Sequence, residues 1–206
     1  MVPIPDCPSG SSDRGPAEIT KPALGMSNDY GLTPTPYTSD PNPEAKNAAF
    51  SAYKQAGVDA MQVNIRGGTH YEYSYLPGVE FDATLRGLDM AIWYTAAWFD
   101  RYVKGDPSAD DRVLTARWRD DPRGEEIDPN SPPDGNLFSF YLRSRYDLAV
   151  APGEVACDDM RAGCPAMAPD GCPPGSYSYL AEALTPDVPG TELDPCAGVQ
   201  ARVSGD

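Results

Sequence analysis

The sequence predicts an α/β fold in which helices cover a parallel sheet, because strand-like and helical patterns alternate along it. Short apolar or alternating stretches typical of strands lie at residues 19–26 and 58–65, and each is followed by a helical pattern, at residues 43–57 and 81–105. A helix between successive strands is the usual connection of parallel neighbours. Because two strands alone form a marginal sheet, we expect further strands within residues 107–150 or in sequence that precedes residue 1.

The two predicted strands differ in pattern. Residues 19–26 form a short apolar run that contains a proline and ends in a cluster of turn formers at residues 27–31, which fits a buried strand too brief for a helix. Residues 58–65 alternate apolar and polar side chains and include β-branched residues. This second strand leads directly into a loop that contains Gly67 and Gly68.

Both predicted helices carry recognisable end signals. Asp40 or Asn42 can cap the first helix. Pro43 suits its first turn, and Gly57 ends it. The second helical pattern is the strongest in the chain and stops at Gly105. Apolar residues recur along it at steps of three and four: Leu85, Leu88, Ile92, Ala96, Phe99 and Val103. Four aromatic residues broaden this apolar surface and are expected to pack in the core: Trp93, Tyr94, Trp98 and Tyr102.

The composition divides the chain into three parts. Residues 1–18 have loop composition and are predicted to be a linker, residues 19–150 hold the α/β structure, and residues 151–206 form a Pro/Gly-rich tail. Within the middle part, residues 112–118 and 137–142 are predicted to be additional short strands. We expect the tail to be irregular and cross-linked rather than a folded domain.

The cysteines indicate an oxidising compartment. Cys157, Cys164, Cys172 and Cys196 lie in the tail, where they can pair locally, and Cys7 lies near the start. In an acidic, proline-rich chain this pattern predicts disulfide bonds and a secreted or extracellular protein, with a connectivity that spacing leaves open. Zinc binding is the alternative, but no histidine lies near these cysteines and no Cys-x-x-Cys occurs.

Charge and hydropathy disfavour two classes of partner. The chain has 16 basic and 31 acidic residues and a formal net charge of −15, so nucleic-acid phosphates and anionic lipid surfaces would repel it. No apolar run approaches the roughly 18 to 20 residues of a bilayer span. The N-terminus lacks the basic and apolar regions of an export signal, and the number of cysteines is odd. We therefore expect that a segment upstream of residue 1 is absent.

Asp29 and His70 are the candidate catalytic residues. His70, the only histidine, follows the second predicted strand and its two glycines, and open α/β sheets place their sites at the carboxyl ends of strands. Asp29 ends the first predicted strand, so on a neighbouring strand its carboxylate would orient the imidazole and stabilise its charged form. A turn role for Asp29 and an incidental histidine are the structural alternatives. Asp40 is a weaker candidate acid.

Residues 23–30, 60–72 and 97–106, with Gly67-Gly68-Thr69-His70 at their centre, resemble the C-terminal portion of secreted, actinobacterial-type α/β-hydrolases. The resemblance covers roughly residues 19–145. It implies a serine hydrolase that cleaves ester or peptide bonds of small-molecule substrates without a cofactor or metal. In this family the triad occurs in the chain order Ser, acid, His, which implies Asp29 as the acid and His70 as the base.

The chain departs from the family at the nucleophile. A nucleophile elbow needs Gly-x-Ser-x-Gly, because small residues on either side let a strand turn sharply into a helix, and no serine here meets this pattern. Ser27 comes closest but has Asp29 two positions later, and Ser12 has no strand before it. We expect a fragment that is inactive alone. The alternative function is a non-catalytic extracellular binding or structural module on the same scaffold.

Overall fold

The computed structural model of the chain describes residues 19–31, 42–73, 87–120, 132–150 and 153–167. These residues form an α/β structure, which confirms the predicted class at that level. No helix within the described ranges is long and apolar enough to cross a membrane.

One mixed sheet of four strands, in the order β1-β2-β3-β4, organises the described residues. The strands are β1 (Ala23–Asn28), β2 (Ala60–Ile65), β3 (Arg145–Val150) and β4 (Gly153–Cys157). β1 and β2 are parallel, whereas β3 runs antiparallel to β2 and β4 antiparallel to β3. The expectation of a parallel sheet is therefore wrong for the second half, where the connection between β3 and β4 is too short for a helical crossover.

Three α-helices accompany this sheet in the described ranges: α1 (Ala48–Gln55), α2 (Gly87–Phe99) and α3 (Ala109–Val113). α2 continues without a break into a π-helical segment, Asp100–Lys104. The predicted stop at Gly105 is confirmed, because this residue has a φ of 71° and donates its N–H to the Asp100 carbonyl. Short 3₁₀ turns lie at His70–Tyr73, after β2, and at Arg117–Arg119, after α3.

The two faces of β2 have different neighbours, although all six of its residues are buried. Met61, Val63 and Ile65 point into the hydrophobic core with α2, as the two-residue period of a strand requires. Gln62 and Asn64 point to the opposite face, where Gln62 Nε2 donates to Asn64 Oδ1 over 3.1 Å. The predicted alternation of residues 58–65 is therefore an alternation between an apolar core and a buried polar face.

α2 supplies the aromatic part of the core, as predicted for Trp93, Tyr94 and Trp98, whereas the end of the predicted apolar face is exposed. The expected apolar face includes Phe99 and Val103, which are 56% and 74% exposed. The buried face instead carries larger aromatic side chains, which bury more apolar area per residue. It consists of Met90, Ala91, Trp93, Tyr94, Ala97 and Trp98.

Trp93 lies at the centre of this core with 1% of its surface exposed. Its ring meets the Trp118 ring edge-to-face, with 5.8 Å between centroids. The indole N–H donates to the Arg112 carbonyl over 2.9 Å, and the Arg117 guanidinium lies 4.3 Å from the ring centroid. Trp93 thereby fixes α3 and the turn that follows it against α2.

Three local predictions need correction. Residues 112–118, predicted as a strand, contain the end of α3 and the start of a 3₁₀ turn. Residues 137–142, also predicted as a strand, make only one isolated bridge, between Phe138 and Ile65. Residues 153–157, predicted to be irregular, form β4. Short apolar runs cannot be assigned to strand or helix by periodicity alone, and β4 becomes a strand because it pairs with β3.

A disulfide joins Cys157 at the end of β4 to Cys164, as the clustered cysteines predict. The loop that it closes packs on the sheet, since Met160 is fully buried in the core and its N–H donates to the Ser144 carbonyl over 2.8 Å. The other three cysteines lie outside the described residues.

Candidate functional site

The carboxyl ends of β1 and β2 lie side by side and carry the two candidate catalytic residues. The parallel register pairs Asn28 with Ile65. Beyond it, the Tyr30 N–H donates to the Gly68 carbonyl over 3.0 Å, and the His70 N–H donates to the Gly31 carbonyl over 2.8 Å. The predicted placement of the two residues on neighbouring strands and at one edge of the sheet is confirmed.

Two glycines shape the loop between β2 and His70, each for a different reason. Gly67 has a φ of 62°, a left-handed conformation that costs glycine little. Gly68 is closely surrounded: a Cβ there would lie 3.0 Å from Glu72 Cγ, 3.1 Å from Asn28 Cβ and 3.1 Å from a side-chain methyl of Ile65. The close contact between the loop and the end of β1 therefore depends on Gly68.

Gly68→Ala is expected to lower the free energy of unfolding by about 1–3 kcal/mol, because the added methyl group crowds three packed neighbours. Gly31→Ala is the matched control, since a Cβ at this position on the adjacent segment meets nothing within 4 Å. We expect the control to stay within about 0.5 kcal/mol of the wild type. Urea denaturation of both variants measures the difference, and equal stabilities would contradict this packing.

Asp29 is buried, with 5% of its surface exposed, and its carboxylate connects three segments of the chain. Oδ2 accepts the Gly67 N–H over 2.9 Å, and Oδ1 accepts the Ser139 hydroxyl. The Ser139 Oγ in turn accepts the N–H groups of Tyr141 and Leu142, over 3.0 and 2.8 Å. These bonds hold the carboxylate in one orientation behind the His70 loop.

His70 is exposed at the start of its 3₁₀ turn. Its ring meets the Tyr71 ring edge-on, with 6.3 Å between centroids. The Asp29 carboxylate binds Gly67 and Ser139, and the His70 ring contacts Tyr71. The structure thus brings the two segments together through their backbones.

Buried polar groups form hydrogen bonds with the turn that carries His70. Glu72 is 1% exposed and its Oε1 accepts the Thr69 N–H over 3.4 Å. The Thr69 hydroxyl oxygen accepts the Tyr71 N–H over 3.2 Å, and the Thr69 carbonyl accepts the side-chain amide of Asn28. The backbone on both sides of His70 is therefore fixed while its ring faces solvent.

An ion cluster that begins at a buried arginine lies directly behind this loop, and it was not predicted from the sequence. Arg66 is 1% exposed, and its Nη1 donates to Asp134 Oδ1 over 2.6 Å. Arg161 donates to both carboxylate oxygens of Asp134, over 2.8 and 3.1 Å. Burial lowers the pKa of the Arg66 guanidinium, and the Asp134 charge opposes this change. The signal in the sequence was an arginine at the end of a buried strand, since a buried cation needs a partner.

Ser27 is accounted for by the sheet. It lies within β1, where its hydroxyl donates to Asn64 Oδ1 and lies 3.5 Å from the donating Gln62 Nε2. It is therefore not on a turn from a strand into a helix. Asp40 and Ser12 lie outside the described residues.

No metal site accompanies these residues in the part of the chain that the structure describes, where no three His, Cys, Asp or Glu side chains are grouped to hold an ion. The edge of the sheet carries the held carboxylate of Asp29 and the exposed imidazole of His70. No protein-family model, no curated protein and no solved structure matches this chain.

Proposed function

We propose that Asp29 and His70 are the acid and the base of a serine hydrolase of the α/β-hydrolase type, which cleaves ester or peptide bonds of small-molecule substrates. The observation that supports this most strongly is the pairing of the two strand ends, through the bonds from Tyr30 to Gly68 and from His70 to Gly31. In α/β-hydrolases the acid precedes the histidine in the chain, and open α/β sheets place their sites at the carboxyl ends of strands.

In this mechanism His70 removes the proton from the attacking serine hydroxyl and returns it to the leaving group. Asp29 accepts a hydrogen bond from the imidazole and stabilises the imidazolium that forms. The buried carboxylate is already held by Gly67 and Ser139. His70 must turn toward it when the site is complete, and catalytic hydrogen bonds are often long in unliganded enzymes and shorten on binding.

The serine and the oxyanion hole belong, in this proposal, to sequence that precedes residue 1, because no serine of this chain lies in Gly-x-Ser-x-Gly. We propose a secreted enzyme, since the Cys157–Cys164 disulfide is a bond that persists in oxidising compartments. The chain alone is then inactive.

A second function is favoured by one observation. The Asp29 carboxylate binds the Gly67 N–H and the buried Ser139 hydroxyl, so it ties the loop to a second segment of the chain. The same contacts would suit a non-catalytic extracellular binding or structural module in which Asp29 only stabilises the loop.

A fluorophosphonate probe distinguishes the two functions when it is applied both to this chain and to the complete open reading frame that contains it. For the hydrolase we expect one label per complete protein, loss of labelling in His70→Ala, unchanged labelling in Tyr71→Phe and none on the isolated chain. Stoichiometric labelling of the isolated chain that Ser27→Ala abolishes would overturn the fragment proposal. A complete protein without Gly-x-Ser-x-Gly and without labelling would support the binding module.

A further inference from the structure

The ion cluster of Arg66, Asp134 and Arg161 takes no part in the proposed chemistry, yet it contacts the loop that does. Arg66 is the last residue before Gly67, and beyond its bond to the Asp134 carboxylate it donates to the carbonyls of Asp134, Asn136 and Pro132. Its backbone N–H donates to the Leu137 carbonyl over 2.9 Å. One end of the His70 loop is therefore attached to the segment 132–139.

The same segment also holds Asp29. Ser139, whose hydroxyl donates to the Asp29 carboxylate, has its own N–H bonded to the Asn64 carbonyl over 2.8 Å. Between Asp134 and Ser139, Asn136 Oδ1 accepts the Phe138 N–H over 3.1 Å. The position of the candidate acid and that of the His70 loop thus depend on one short segment.

Arg161 fixes this segment from the other side. Besides its two bonds to Asp134, it donates to the Phe138 carbonyl over 2.7 Å and to the Asn136 carbonyl over 3.3 Å. It lies inside the loop closed by the Cys157–Cys164 disulfide. A side chain held on a cross-linked loop loses less conformational entropy when it binds, so the disulfide favours these contacts.

We propose that Asp134 is a positioning residue for His70, which acts by binding Arg66 and is itself held by Arg161 on the disulfide-closed loop. Asp134 neutralises the buried Arg66 guanidinium and lies on the segment that carries Ser139. Loss of its carboxylate loosens the Gly67–His70 turn and the attachment of Asp29 together. The catalytic importance of this positioning rests on the proposed hydrolase function, whereas the positioning itself does not.

His70 is the only histidine in the chain, so its imidazole gives a single set of ring signals in an NMR spectrum of the full chain. For Asp134→Asn we expect a shift or broadening of these ring signals. We also expect roughly tenfold faster exchange of the His70 and Gly68 amide hydrogens, because charged hydrogen bonds that hold the loop are weakened. Asp134→Glu, which keeps the carboxylate, should restore most of both signatures.

Two further variants test how the cluster is held. Arg161→Gln leaves the bond between Arg66 and Asp134 in place, so it should fold and show a smaller effect of the same kind. Cys157→Ala/Cys164→Ala should resemble Arg161→Gln, and combining the two should add little, because both act through the same contact. Lys54→Gln is the control, since it removes a different ion pair, the one of 2.8 Å between Lys54 and Asp147 of β3.

Unchanged His70 signals in both Asp134→Asn and Arg161→Gln would overturn the proposal. Equal acceleration of exchange at the His70 amide and at the Leu148 amide of β3 would also overturn it, because that pattern means global destabilisation. The hydrolase proposal fails separately, if His70→Ala leaves the activity of the complete protein intact. Positioning by Asp134 would then stand as a structural property of the loop.

Discussion

His70→Ala in the complete protein is expected to lower kcat/KM about 10²- to 10⁴-fold if His70 is the proposed general base, which is the usual contribution of such a group. The fold should persist, because the His70 side chain is exposed and its ring packs edge-on against the neighbouring Tyr71. Hydrolysis of an activated ester gives the rate, and circular dichroism shows that the variant is folded. The imidazole, and not the packing around it, is then responsible for the loss.

Tyr71→Phe serves as the control for this substitution, since it alters the residue next to His70 and retains the ring contact. We expect its kcat/KM to stay within about threefold of the wild type, a change of under 1 kcal/mol. A His70→Ala variant that keeps full activity would contradict the assignment of the base. Equal losses in both variants would show that the turn matters and the imidazole does not.

Replacing Trp93 with alanine is expected to lower the free energy of unfolding by about 3–5 kcal/mol, the usual cost of removing a fully buried large aromatic side chain. Three contacts are lost together: the Trp118 ring, the hydrogen bond to the Arg112 carbonyl and the Arg117 guanidinium over the ring. Trp93→Phe keeps an aromatic ring and should cost less. Denaturant unfolding curves provide the values.

Phe99→Ala is the matched control in the same helix, because Phe99 is an aromatic residue of α2 that is 56% exposed. Its effect should remain within about 0.5 kcal/mol. A similar loss for Phe99→Ala and Trp93→Ala would contradict the placement of Trp93 on the buried face of α2 and of Phe99 on its exposed face.

The elements with a clear period could be predicted from the sequence, but their environment could not. The alternation at 58–65 predicts β2 within two residues of its start. The pattern of α2 predicts a helix that ends at Gly105, yet the face that includes Phe99 and Val103 is exposed. Counting apolar positions does not weigh the larger area that Trp93 and Trp98 bury.

The expectation of further strands within residues 107–150 is met by β3, but at Arg145–Val150 and not at the two runs predicted, and β4 was not predicted. The apolar run at 137–142 is buried apart from Phe140, but it covers the end of β2 and leaves β3 to begin at Arg145. A run of this length fits a strand, a turn or buried loop equally well. The pairing of residues 145–150 with β2 and β4 makes this segment the strand.

In the candidate site, too, some features could be predicted from the sequence and others could not. The positions of Asp29 and His70 after successive strands could be predicted, because parallel neighbours end at the same edge. Ser139 is 110 positions from Asp29 and Asp134 is 68 positions from Arg66. Contacts over such separations leave no local pattern, so the groups that hold the site became visible only in the folded chain.

The most direct test of the proposed acid–base pair is a double-mutant cycle in the complete protein, with Asp29→Asn, His70→Ala and the combination compared by kcat/KM. Residues that act as one unit lose activity together, so we predict that the double variant is no slower than His70→Ala alone. Losses that multiply, or full activity in Asp29→Asn with its fold intact, would show that the carboxylate at 29 does not serve the imidazole at 70.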